Sequence, residues 1–264
     1  MAVTLSTDHL PSPVYIVPDC FRDKTDLLAL QSTRLGGVSE GPYSSLNLGG
    51  NTGDLPEKIQ KNILLLCSAA GIGSNRLVSS NQVHGTGILY AEEPGHHDGY
   101  DAFVTDKPDL FLCIFTADCY PVMIYDRRHR AVGAAHAGWK GTASEIVMKT
   151  VAEMGARFNT EASDCLAYIG AGISAAAYEV GRDVCELFPE EFCMTKILTE
   201  GGRKYFLDLG KANRRQLLNS GIPAENIECS PFCSFIDREM FYSYRRDNGM
   251  TGRMVSLIGM RTLG

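Results

Sequence analysis

Three side chains of the sequence could hold one metal ion together: His84, Cys119 and His136. A thiolate and two imidazoles suit zinc, and three protein ligands leave its fourth position open to water or substrate. Zinc lowers the pKa of a bound water to near neutrality, which supplies a nucleophile. The spacing alone decides little, because no close C-x-x-C pair is present. A buried structural thiol beside two unrelated histidines explains the residue types equally well.

A hairpin would bring Cys119 and His136 to the same end of a sheet. Residues 111–115 form an apolar run without helical period, which is typical of a strand buried on both faces. Residues 122–125 and 131–135 are apolar again and flank a polar turn, so we predict that they pair as a hairpin. The local pattern therefore predicts that Cys119 and His136 lie at the same end of one sheet.

Three segments have the apolar spacing of amphipathic helices. The first covers residues 55–70 and the last covers residues 208–221. The middle one begins just after His136, so its free backbone N–H groups would favour an anion at the site. Its apolar face consists of Ile146, Val147, Met148, Val151 and Met154. The remaining predicted strands cover residues 77–83 and 227–235.

Two further sequence patterns resemble binding motifs, but we do not expect either of them to form a binding site. Residues 170–175 match the G-x-G-x-x-A dinucleotide fingerprint, which is weak when it stands alone. It lies deep in the chain, and Gly181 would interrupt the helix that should follow. His96 and His97 lie in a Gly-rich, acidic turn, where we expect an exposed loop pair rather than metal ligands.

Five motifs together resemble those of the YfiH family, long labelled the laccase-domain or multicopper polyphenol oxidase family. They are STRLGGVSEGPYSSLNLG, NQVHG, TADCYPV, HAGWKG and FYSYRRDNGMTGRM, with DGYDAFVT between the second and the third. The family's metal ligands fall on His84, Cys119 and His136. The resemblance implies a layered α/β sandwich. We expect an α/β fold with a mixed sheet flanked by helices, and one domain over residues 1–264.

The same resemblance implies a zinc-dependent purine nucleoside enzyme. Its activities would be phosphorolysis of adenosine, inosine and methylthioadenosine, with adenosine deamination as a second reaction. The usual deaminase signature, a Glu beside the ligand His with P-C-x-x-C, is absent, so the acid/base candidates are Asp118 and Asn47. Phosphate would be held by Arg34, Lys140 or Arg246.

Three rival functions stay open at this stage. Two histidines and one cysteine can bind copper, as a phenol oxidase would require, but the clustered Cys, His and axial Met of a blue-copper site are missing. A thiol hydrolase would use Cys119 as nucleophile and His136 as base, which fits a family role in editing cell-wall precursors. A non-catalytic partner protein is disfavoured by the dense polar motifs.

The composition limits the partners and the compartment. The 264 residues carry a formal net charge of −6, which argues against a nucleic-acid or anionic-membrane surface. No apolar run approaches the length of a membrane span. Nine cysteines, an odd number without framework spacing, predict reduced thiols and a cytoplasmic location. The expected partners are small purine nucleosides and phosphate, and the expected state is a monomer.

Overall fold

Two six-stranded mixed sheets form the centre of the computed structural model, which describes residues 11–197, 199 and 202–262. The first sheet has the order β1 (Tyr15–Ile16), β2 (Leu27–Ser32), β15 (Met254–Met260), β7 (Phe111–Thr116), β3 (Leu77–Asn81) and β5 (Gly95–Asp98). The second sheet has the order β14 (Ile227–Cys229), β10 (Cys165–Ile169), β8 (Tyr120–Asp126), β9 (Ala131–Ala137), β6 (Ala102–Thr105) and β4 (Ile88–Tyr90). A small third sheet contains β11 (Glu179–Val180), β13 (Arg203–Leu207) and β12 (Cys193–Ile197).

Helices cover the outer faces of the two large sheets. They are α1 (Pro56–Ala70), α2 (Trp139–Ala143), α3 (Ile146–Phe158) and α5 (Leu209–Asn219), whereas α4 (Arg182–Cys185) lies against β13 of the small third sheet. Short 3-10 turns occur at Asp19–Phe21, Gly41–Tyr43, Ser74–Arg76, Ala162–Asp164, Glu190–Phe192 and Ala224–Asn226. Within the described residues, no helix combines the length and the apolar character that crossing a bilayer requires.

Three apolar layers hold this arrangement together. Between the two large sheets, Val78, Leu112 and Ile258 of the first sheet pack against residues of the second such as Met123 and Val132. The outer face of the first sheet packs against α1, and the outer face of the second packs against α3 and α5. Burying apolar side chains in these layers supplies the main favourable term in folding. The order of layers is therefore helix, sheet, sheet, helix.

The structure confirms the α/β class and the layered sandwich, and it divides the predicted sheet into two. A strand that is buried on both faces has the same sequence pattern whether a helix or a second sheet covers it. The single domain over residues 1–264 stays a prediction. The predicted hairpin is confirmed, because β8 and β9 pair in antiparallel register from Tyr120 opposite Ala137 to Asp126 opposite Ala131.

Several local predictions need correction. The helix expected after His136 is two helices, α2 and α3, which are separated at Glu145, where φ is 63°. The strand expected at residues 227–235 ends at Cys229. No helix follows the glycines of residues 170–175; a Cβ on Gly172 would lie 2.7 Å from the Tyr120 ring, so close packing explains the absent side chain. His96 and His97 belong to β5 and not to a loop.

The prediction that all nine cysteines are reduced is wrong for one pair. Cys185, at the end of α4, forms a disulfide with Cys193, at the start of β12. Their Cα atoms are 5.9 Å apart, which lies in the normal range for a disulfide. The spacing of eight residues gave no sign of this contact, because it depends on the turn of the chain between α4 and β12. The other seven cysteines are free.

Candidate metal centre

The three predicted metal ligands meet where the chain passes from the first large sheet to the second. His84 lies between β3 of the first sheet and β4 of the second, and Cys119 lies between β7 and β8. His136 is on β9, opposite Pro121, two residues after Cys119. One ligand atom from each of the three lies within 4.8 Å of the others. The hairpin register therefore brings Cys119 and His136 together as the sequence predicted.

A buried carboxylate, Asp101, positions two of these ligands. It accepts hydrogen bonds from Nδ1 of His136 at 2.8 Å and from the backbone N–H groups of Val83, His84 and Gly85 at 2.7–3.1 Å. Burial alone would raise the pKa of Asp101, but the hydrogen bonds from His136 and the backbone hold it below its usual range. Because Nδ1 of His136 is engaged, Nε2 is left for a metal.

Two residues at the site have an unusual backbone conformation. His84 has φ 59° and Asp118 has φ 99°, in the left-handed region that non-glycine residues rarely adopt. Asp101 holds the first through the His84 N–H. The Asp118 carboxylate accepts a hydrogen bond from the Ser234 hydroxyl and one from the Arg245 N–H, each at 2.7 Å. Asp118 thus fixes the turn that presents the next residue, the cysteine ligand, and a catalytic role for it stays a prediction.

Cys119 and His136 perturb each other's protonation. Burial would raise the pKa of Cys119, but the charges and hydrogen bonds of His136 and His84 outweigh burial and lower it to about 6. Burial would lower the pKa of His136, but Cys119 and Asp101 outweigh burial and raise it to about 9. The metal-free protein therefore favours a thiolate next to an imidazolium, and a thiolate is the form that binds metal.

The space at the cluster fits a metal ion. A Cβ on Gly138 would lie 2.8 Å from Nδ1 of His84 and 3.0 Å from Sγ of Cys119, so only glycine leaves the ligand atoms unobstructed. One soft sulfur and two imidazole nitrogens are an ordinary donor set for zinc, with bond lengths of about 2.0–2.3 Å. Within the described residues, these three form the one group of three or more potential ligands.

The cluster forms part of the wall of a cavity of about 820 Å³. Aromatic rings and arginines, together with polar residues at the end of β3 and directly after it, make up much of the remaining wall. These residues are Ser79, Ser80, Asn81, Gln82, His96, Phe115, Trp139, Tyr178, Tyr244, Arg245 and Arg253. A cavity of this size, mainly pre-formed and with a few convergent polar groups, is typical of a small-molecule site.

Asn47 lies outside the lining of this cavity and holds a loop instead. Its amide donates to Thr52 and to Asp54, and its carbonyl oxygen accepts from the backbone N–H groups of Gly49 and Arg253. The residue is fully buried. A catalytic role for Asn47 stays a prediction, and these contacts favour a structural one.

The three predicted phosphate ligands also lie outside the lining. Arg34 and Arg246 line a separate surface pocket of about 480 Å³, and their guanidinium groups donate to backbone carbonyls. Lys140 is exposed on α2. The arginines on the cavity wall are Arg245 and Arg253, neither of which was among the predicted phosphate ligands. Neighbouring arginines in one loop face different ways, and their spacing did not reveal which faces the site.

His96 is exposed and outside the ligand group, as predicted, but it lies on a strand and not in a turn. It lies on β5, which pairs in parallel with β3, and its ring therefore reaches the cavity wall. Its Nδ1 is 2.9 Å from Oγ of Ser79. The ligand group itself does not include His96.

Comparison with known proteins extends the likeness over nearly the whole chain. Residues 28–261 match the model of the family described as multi-copper polyphenol oxidoreductase laccase. The purine nucleoside phosphorylase of Bacteroides thetaiotaomicron is 39% identical over 240 residues, which are 85% of this chain and 88% of that protein. The purine nucleoside phosphorylase YfiH of Escherichia coli is 37% identical over 245 residues, 92% and 97% of the two chains. The crystal structure of YlmD from Geobacillus stearothermophilus has a TM-score of 0.86 and 31% identity, covering 98% of this chain and 100% of that one.

Proposed function

The chain belongs to the family described as multi-copper polyphenol oxidoreductase laccase, which includes YfiH and YlmD, and we propose that it is a zinc-dependent purine nucleoside phosphorylase. Its substrates would be inorganic phosphate with adenosine, inosine or methylthioadenosine. Deamination of adenosine with uptake of water would be a second reaction in the same cavity. We further propose that it works as a monomer in the cytoplasm.

The observation that carries this proposal is the cavity, which combines a metal-binding cluster with aromatic walls. Trp139, Tyr178 and Tyr244 line it together with His84 and Cys119. Aromatic side chains offer flat apolar faces on which a purine ring can stack. The names of the relatives support the same substrate class, since both are called purine nucleoside phosphorylases.

The donor set supports zinc over copper. A blue-copper site adds a weak axial ligand, usually methionine, to its two histidines and one cysteine. None of the described residues that line the cavity is a methionine. A multicopper centre also needs more ligands than the single cluster of His84, Cys119 and His136 found in the described part of the chain. When bound, zinc would supply a fixed positive charge that attracts electron-rich substrate atoms.

Phosphorolysis requires the protein to bind a phosphate anion and to allow the transfer of one proton to the leaving base. An oxygen of phosphate forms a bond to C1′ of the ribose while the bond from C1′ to N9 of the purine breaks. The bonding electrons leave with the base, which takes up the proton that the attacking hydrogen phosphate loses, and ribose 1-phosphate is the other product. Asp118 is the one carboxyl group among the described lining residues, which supports it over Asn47 as the proton carrier.

A thiol hydrolase is the second candidate, and one feature favours it. Cys119 has a lowered pKa beside His136, and His136 is held in turn by Asp101. A nucleophile, a base and a residue that orients the base form the arrangement of cysteine hydrolases. Such an enzyme would form a covalent bond between Cys119 and its substrate, as in the editing of cell-wall precursors.

The two candidates differ in their need for phosphate. Purified protein is incubated with inosine, with and without inorganic phosphate, and hypoxanthine, ribose and ribose 1-phosphate are measured. We expect hypoxanthine and ribose 1-phosphate in equal amounts, and only when phosphate is present. Release of free ribose at the same rate without phosphate would contradict phosphorolysis, and no turnover of any purine nucleoside would reject the whole proposal.

A further inference from the structure

Arg253 brings an unpaired positive charge to the wall of the cavity. It is half-buried, and no carboxylate of the described residues lies within 4 Å of its guanidinium. Arginine stays protonated in proteins, so this charge persists at any ordinary pH. A partly buried charge without a partner is unfavourable unless a ligand or water compensates it.

The side chain is fixed in place, although no described carboxylate forms an ion pair with it; Cys119 and Asp118 act on its charge only from a longer distance. One terminal nitrogen, Nη1, donates to the carbonyls of Thr251 and Gly252 at 3.0 and 2.9 Å. The guanidinium carbon lies 5.5 Å from the centre of the Tyr244 ring. A Cβ on Gly49 would lie 2.5 Å from Cγ of Arg253, so this glycine leaves room for the arginine stem. Nε and Nη2 make no hydrogen bond to the described residues, and they form the edge that binds a planar pair of oxygens.

A second guanidinium on the wall adds to the positive field. Arg245 also lines the cavity, stacks 5.2 Å from the centre of the Tyr178 ring, and has no described carboxylate within 4 Å. The nearby carboxylate of Asp118 already accepts two hydrogen bonds from neutral groups, the Ser234 hydroxyl and the Arg245 backbone N–H. The wall can therefore attract an anion without first breaking an ion pair.

We propose that Arg253 binds inorganic phosphate in the cavity, through its free Nε and Nη2 edge, with Arg245 strengthening the positive field. This assignment rests on the proposed phosphorolysis and replaces Arg34, Lys140 and Arg246 as the phosphate contact. Arg253 exchanges no proton in the reaction. It holds the attacking anion near the metal cluster, where Cys119 also faces the same cavity.

By contrast, Arg246 has no donors left for a ligand. Its Nε and Nη2 pair with the Asp247 carboxylate, its Nη1 donates to the carbonyls of Ser234 and Phe235, and its Nη2 also donates to Phe241. Its chemistry is the same as that of Arg253, and only the partners differ. Availability of the donor edge, and not the presence of an arginine in the motif, selects the anion contact.

The test measures phosphate binding directly, by calorimetry on the metal-loaded protein with inorganic phosphate alone. We expect Arg253→Gln to weaken phosphate binding at least tenfold, and to raise the KM for phosphate similarly while the KM for inosine stays within about twofold. Arg253→Lys should fall between, because it keeps the charge and loses the fork. The matched control is Arg261→Gln, since Arg261 also donates to a backbone carbonyl, has no described carboxylate within 4 Å and lies outside the cavity lining.

The outcomes separate this assignment from the proposed function. Unchanged phosphate affinity in Arg253→Gln, or no phosphate binding by the parent protein, overturns the anion site. Phosphate binding that depends on Arg253, in a protein that cleaves no nucleoside, supports the site and rejects the reaction. Should Arg253→Gln fail to fold, as judged by circular dichroism, Arg253→Lys decides: affinity equal to that of the parent protein overturns the site.

Discussion

Two buried aspartates of this protein hold a histidine in nearly the same way, in two different regions. Asp101 accepts from Nδ1 of His136 at 2.8 Å and from three backbone N–H groups. Asp126 accepts from Nδ1 of His129 at 2.9 Å and from two backbone N–H groups. Both carboxylates are fully buried. The local pattern of hydrogen bonds is therefore not what makes one of them part of a site.

The difference lies in what each histidine faces. His136 is 3% exposed and turns its other nitrogen toward Cys119 and His84, whereas the side chain of His129 is 29% exposed in the turn between β8 and β9. Asp126 fixes the hairpin turn, and Asp101 fixes a ligand and the loop that carries another. An Asp–His pair therefore belongs to the candidate metal site only where a third side chain, here Cys119, lies on the far side of the histidine.

The largest expected effect follows from removing that third group. Cys119→Ala should lose most bound zinc and reduce nucleoside turnover by more than about 100-fold, because losing a ligand exceeds the 10–100-fold effect of losing a ligand's partner. Chelation of the parent protein should have the same effect, and added zinc should reverse it. Metal content and inosine turnover are measured together, with Cys229→Ala, at an exposed cysteine, as the control. Full activity in metal-free protein, abolished by alkylation, would favour the thiol hydrolase.

A smaller effect should separate the two aspartates. Asp101→Asn keeps the size of the side chain and weakens the hold on His136, so zinc affinity should fall about 10–100-fold. Asp126→Asn makes the matched change at His129 and should leave zinc affinity and turnover unchanged. Zinc affinity is measured by competition with a chelator of known affinity. Equal losses in both variants would show that Asp101 acts only through general stability.

The smallest effect concerns acid stability at Asp126. Burial would raise the pKa of this carboxyl, but hydrogen bonds from the backbone of Arg128 and His129 and from the His129 ring hold it below the usual value. Because its folded pKa is depressed, Asp126 stabilises the fold above its unfolded pKa of about 3.9, and this contribution is lost as pH falls through the folded pKa. Asp126→Asn should lower the free energy of unfolding at pH 7 by about 1–3 kcal/mol.

Denaturant unfolding at several pH values checks this sign. The deficit of Asp126→Asn relative to the parent protein should be full near pH 7 and should shrink below about pH 4. An unchanged deficit at pH 3 would show that the loss comes from packing rather than from charge. Thermal unfolding of the same variant at pH 7 serves as an independent measure of its size.

The sequence could predict the features that depend on neighbours in the chain. The hairpin of β8 and β9 follows from two short apolar runs with a polar turn between them, and it places Cys119 and His136 together. The prediction that they bind a metal followed from residue type and from family resemblance. The stacking of two sheets did not follow, since strands such as β7 are buried on both faces under either arrangement.

The features that could not be predicted from the sequence depend on contacts between segments that are distant in the chain. Asp101 meets His136 across 35 positions, and the Arg253 N–H meets Asn47 across 206. Nothing in the local sequence distinguishes Arg253, whose donors are free, from Arg246, whose donors are used. The disulfide between Cys185 and Cys193 was not predicted for a similar reason, because a turn of the chain and not a spacing rule brings the two cysteines together.

The placement of the ligands between the two large sheets has a consequence for folding equilibria. His84 and Cys119 lie on segments that leave the first sheet, and His136 belongs to the second. A metal ion at this position would act as a crosslink between the sheets, and it would bind the native state far better than the unfolded chain. By mass action, a free metal concentration 100 times its dissociation constant stabilises the fold by about 2.7 kcal/mol. The melting temperature of such a protein then depends on the concentration of the metal. When the metal is scarce, the protein would lose its activity and would also be more easily degraded by proteases.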